Sequence, residues 1–63
     1  MPHHVPAAAP GLPAATLHEI HDCLVLALDA TEHRRGYTRP EREARSYMHS
    51  ALRQTVALME VQG

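Results

Sequence analysis

From Leu17 onward, apolar residues recur every three or four positions, the spacing of helices that each bury one face. At about 100° per residue, Leu17, Ile20, Leu24, Ala27, Leu28 and Thr31 form one stripe roughly 120° wide. His18, Glu19, Asp22, Asp29 and Glu32 lie largely opposite, with Val25 and Leu26 projecting on that polar side. Further along, Ala44, Tyr47, Met48, Ala51, Leu52, Thr55, Val56, Leu58 and Met59 spread over roughly 180° of a second helix.

Start and stop signals set the expected boundaries. Thr16-Leu17-His18-Glu19 and Thr38-Arg39-Pro40-Glu41 both fit the capping box, in which the hydroxyl takes the N3 amide proton and the Glu reaches back. Pro40 then falls in a first turn, where its missing N–H costs nothing. His33, Arg34 and Arg35 suit a helix C-terminus, and Gly36 suits the left-handed residue beyond it. The pattern predicts helix 1 over 17–35, a turn over 36–38 and helix 2 over 39–61. So short a turn makes the helices antiparallel. Residues 1–15, with Pro2, Pro6, Pro10 and Pro13, read as a flexible, partly polyproline-II arm.

The fold class expected is all-α, an antiparallel two-helix hairpin behind a disordered N-terminal arm. Two helices hide only about 100° of each other, so an apolar arc of roughly 180° leaves a surplus. A lone Cys23 makes no internal disulfide, and a chain of 63 residues is short for a self-sufficient core. Assembly is the remaining remedy, most simply a homodimer of hairpins forming a four-helix bundle, otherwise a complex with a larger protein. Val25, Leu26, Tyr47, Met48, Leu52, Val56 and Met59 are the candidate assembly interface.

Charge adds one local feature. Six Arg and no Lys against seven acidic residues give a net charge of −1, which excludes an overall basic, nucleic-acid-coating chain. The arginines cluster, however. Arg34, Arg35, Arg39, Arg42 and Arg45 make the hairpin tip basic and are the candidate partner-binding residues, chiefly for an acidic protein surface and alternatively for nucleic-acid phosphates. With two aromatic residues there is no base-stacking platform. The longest apolar run, Cys23 to Leu28, is too short to span a bilayer. The N-terminus lacks a signal-peptide pattern, so no membrane partner and a cytoplasmic location are expected.

Residues capable of chemistry are few. His18 and His21, beside Glu19 and Asp22, could share a metal only from one face, and they diverge by about 60°. His4 would become the third residue if Met1 were removed, completing an amino-terminal Cu(II) or Ni(II) chelate, but His3 and His4 read as incidental. Cys23, at the edge of the helix 1 stripe, has no adjacent base and reads as a buried small apolar residue. No metal, cofactor or catalytic residue is assigned.

Arg42 followed by His49 resembles the R-x4–6-H signature of the HEPN ribonucleases over those eight residues. That resemblance implies a helical, dimeric, metal-independent ribonuclease using Arg42 and His49. The hairpin layout is also similar to small phosphatases of sporulation phosphorelays. Their Ser-Gln-Glu-Leu-Asp motif has no counterpart, since Ser46 is followed by Tyr47-Met48-His49. The reading reached is a non-enzymatic interaction module, an accessory or regulatory subunit. A nucleic-acid-binding regulator is the alternative, and a HEPN-like ribonuclease comes after it.

Overall fold

A computed structural model describes residues 11–62, and the regular elements among them are two helices, α1 (Ala14–Ala30) and α2 (Arg39–Gln62). They pack on each other as a helical hairpin. Arg45, in the second turn of α2, hydrogen-bonds the carbonyl of Leu28 near the end of α1. Leu17, near the opposite end of α1, is 1 % exposed and so needs the far half of α2 over it. Together these place the helices antiparallel.

Leu17 and Leu28 form the buried core of α1, with Ile20, Leu24 and Ala27 half-buried beside them, as the apolar stripe predicts. Met48, Leu52 and Met59 of α2 are half-buried, and Thr55 is buried. The Thr55 hydroxyl donates to the Ala51 carbonyl at 2.7 Å, so its burial leaves no unpaired polar atom.

The α2 boundary follows its capping box. The Thr38 N–H donates to Glu41 Oε1 at 2.8 Å, and the Glu41 N–H points back to Thr38 Oγ1 at 3.3 Å. Pro40 sits in the first turn, as expected.

Both ends of α1 depart from expectation. Helix begins at Ala14, so Thr16 lies inside the first turn and its capping box does not form. Pro13 takes the cap position with φ −59° and ψ 148°, and its carbonyl accepts the Leu17 N–H at 3.1 Å. Two alanines, the best helix formers, lie between that proline and Thr16, so winding starts immediately after Pro13. Ala14 and Ala15 therefore belong to the helix and not to the arm. The remainder of the arm expectation, with His3 and His4, falls on residues 1–10, outside the described residues.

At the other end, α1 stops at Ala30, and His33, Arg34 and Arg35 lie in an eight-residue link (31–38) instead of a helical turn. The cause is competition for one carbonyl. A continuing helix would give the Leu28 carbonyl to the Glu32 N–H. Here that oxygen accepts from Arg45 Nη1 at 2.9 Å and from the Thr31 hydroxyl at 3.3 Å, and the Glu32 N–H turns to Asp29 at 3.2 Å. The Thr31 hydroxyl also donates to Ala27 at 2.7 Å. Gly36 has the expected positive φ, 97°, but it closes a turn onto the His33 carbonyl (3.2 Å) inside the link.

Candidate interaction surface

The link is organised around Tyr37 and Arg45. The Arg45 guanidinium lies 4.6 Å from the Tyr37 ring centroid and hydrogen-bonds Leu28 and the Thr31 hydroxyl. The Tyr37 hydroxyl accepts the His33 N–H at 2.8 Å, and Arg42 Nη1 donates to the Tyr37 carbonyl at 2.8 Å. A recess of about 610 Å3 opens beside this knot, with Ala44 and Met48 at its apolar side and His33, Arg35 and Glu41 at its polar side.

These contacts divide the five tip arginines. Arg45, read from sequence as partner-binding, is half-buried and engaged within the molecule. Arg42 is exposed but tied to the link, and Arg39 reaches Glu43 at 3.7 Å in an exposed i, i+4 pair. Arg34 and Arg35 are exposed, and neither guanidinium is hydrogen-bonded or ion-paired to a described residue. Those two cations are the ones presented outward. Glu41, bonded by the Thr38 backbone and hydroxyl, has its carboxyl held below the ordinary carboxylate value.

The seven residues expected to form the assembly surface separate into three groups. Met48, Leu52 and Met59 are half-buried on the α2 face that meets α1. Val25 and Val56 border that contact, half-buried and just exposed respectively. Leu26 (65 % exposed) and Tyr47 (75 %) stand clear of it. Leu26 falls about 180° from Leu17, among Ala15, Glu19, Asp22 and Ala30. Tyr47 instead shares its flank with Leu58 (49 % exposed) and Val61 (84 %). Sequence reading placed Leu58 on the broad apolar arc but left it and Val61 out of the interface. The signal was the spacing 44, 47, 51, 54, 58, 61, a second heptad seam beside the one that faces α1.

No family model, curated protein or solved structure matches this chain.

Among the described residues, no group of three or more His, Cys, Asp or Glu side chains converges as a metal site. His21 Nδ1 meets its neighbour Asp22 at 3.2 Å. Arg42 and His49 lie on one exposed strip of α2, separated by a rise of about 10 Å, with Arg42 turned to the Tyr37 carbonyl. Cys23 is exposed on α1 and not buried as expected, because it lies about 120° from Leu17, beyond the face that meets α2. No helix among the described residues is long and apolar enough to cross a membrane.

Proposed function

We propose that this chain is a non-enzymatic protein–protein interaction module, an accessory or regulatory subunit. It assembles through helix surface that its own hairpin leaves uncovered, and it meets an acidic protein partner through the arginines of its tip. One observation carries the reading: among the described residues the core holds only Leu17, Leu28 and Thr55, while Leu26, Tyr47, Leu58 and Val61 face outward. A monomeric soluble chain rarely leaves so much of its large apolar complement uncovered. Arg34 and Arg35 supply the second contact, since their charge is not spent on the fold.

Sedimentation of the pure protein tests the first half. A mass above 7.0 kDa with concentration-dependent melting is expected. A compact monomer with a sharp, concentration-independent transition overturns it. For the second half, a poly-glutamate peptide and a DNA duplex are titrated in parallel. Saturable binding of the acidic peptide supports the reading. Binding of the duplex alone, weakening steeply as salt rises, replaces it with the nucleic-acid reading.

A further inference from the structure

We infer that the surface completing this hairpin is a second copy of the same chain, joined antiparallel so that α2 packs on α2 and α1 on α1. The inference rests on the assembly reading above and specifies its partner and geometry.

Each helix carries a second seam beside the one used within the hairpin. On α2 it runs through Ala44, Tyr47, Ala51, Gln54, Leu58 and Val61, at intervals of 3, 4, 3, 4 and 3. On α1 it runs through Thr16, Ile20, Cys23 and Ala27, at intervals of 4, 3 and 4. Both lie about 90–100° back from the helix–helix contact, measured in the direction of winding. Because the helices are antiparallel, equal offsets open both seams on the same broad side of the hairpin. That side is apolar or small-residued apart from Thr16, Glu43 and Gln54. The opposite side carries His18, Asp29, Arg42 and His49, with Val25 and Val56 toward its border with the contact.

The seams are self-complementary about one two-fold axis. Antiparallel heptad pairing sets a positions against d positions. On α2 this matches Ala44 with Val61, Tyr47 with Leu58 and Ala51 with Gln54 of the second copy, a smaller residue against a larger one in each pair. The axis then passes between Leu52 and Arg53. On α1 the same rule matches Ile20 with Cys23 and Thr16 with Ala27, with the axis between His21 and Asp22.

The register within one hairpin is independent of that argument. Arg45 bonds Leu28 and Thr31, so equal rise per residue brings residues 52–53 level with about 20–24. The two axes coincide, and one rotation closes both seams into a square four-helix bundle.

Charge selects the antiparallel sense. The tip holds Arg34, Arg35, Arg39, Arg42 and Arg45 against Asp29, Glu32, Glu41 and Glu43, a net of +1. The far end holds Glu19, Asp22 and Glu60 against Arg53, a net of −2. Antiparallel copies set each basic tip beside an acidic end. Parallel copies would crowd two basic tips together.

The test uses the full chain. Sedimentation should give a dimer that Tyr47→Glu and Leu58→Glu each convert to monomer, whereas Leu26→Glu, on the outer face of α1, leaves the mass unchanged. Leu58→Ala, which removes only apolar contact, should weaken association about a hundredfold, since both copies lose it. Cys23 of the unmodified protein should react with a thiol reagent more slowly as protein concentration rises. In a Cys23→Ser background, spin labels on Arg39→Cys should lie about 40 Å apart and those on Arg53→Cys roughly 20 Å.

A monomeric wild type overturns this inference and the assembly reading together. A dimer indifferent to Tyr47→Glu and Leu58→Glu overturns this inference and leaves the assembly reading standing. Equal separations at the two labelled positions overturn the antiparallel pairing.

Discussion

The guanidinium of Arg45 lies 4.6 Å from the centre of the Tyr37 ring while bonding the Leu28 carbonyl at 2.9 Å, so one side chain joins α2, the link and the end of α1. Arg45→Ala should cost about 1–2 kcal/mol in thermal or denaturant unfolding, from a charge-assisted hydrogen bond and a half-exposed cation–π contact. Lysine should not rescue it, because a point charge cannot serve carbonyl, hydroxyl and ring at once. Freed of Arg45, the Leu28 carbonyl should again accept the Glu32 N–H. Amide chemical shifts at Glu32 and His33 would then move toward helical values.

Acid should loosen the start of α2. Folding lowers the Glu41 pKa through its bonds to Thr38, so the folded state favours the carboxylate. That contribution is present above the ordinary carboxyl pKa and fades as pH falls through the lowered value. Glu41→Gln should flatten the acid limb of a stability–pH curve and lower its neutral-to-alkaline part by a constant amount. Thr38→Ala should cost about 1 kcal/mol at neutral pH.

Leu17 is the most enclosed side chain described, and with so thin a core its truncation should dominate any alanine scan. Leu17→Ala should lose about 2–4 kcal/mol, seen as a large fall in the urea midpoint. Val25→Ala, at the border of the contact, should lose less than half of that.

At Gly36 the cost of a side chain is conformational. A Cβ there meets nothing within 4 Å, but φ is 97°. Gly36→Ala should therefore destabilise by about 1 kcal/mol, with no change in helix content by circular dichroism.

The outward-facing arginines should separate binding from folding. Arg34→Ala with Arg35→Ala should leave the melting temperature within a degree or two, since neither guanidinium is hydrogen-bonded or ion-paired to a described residue. The same pair should abolish measurable titration heat with poly-glutamate. Arg39→Ala should have a smaller effect, because Glu43 already shares its charge.

Local rules were enough for much of this architecture. The apolar stripe from Leu17 to Leu28, the Thr38–Glu41 cap, the start of α2 and the positive φ of Gly36 follow from side-chain spacing, one hydroxyl–carboxylate pair and the conformational freedom of glycine. Each is settled within a few residues of chain. Where α1 ends could not be read that way. Arginines suited to a helix terminus stand at 34 and 35, yet the carbonyl that would have carried the helix to them is claimed by Arg45, seventeen residues away. The same long-range contact turned Arg45 from a surface cation into a clasp and left Arg34 and Arg35 facing outward. Which apolar side chains were spent inside the hairpin, Met48 and Leu52, and which stayed outside, Tyr47 and Leu58, depended on how one helix lies against the other. A repeat of three and four marks every seam on a helix alike, and only packing selects the one that closes first.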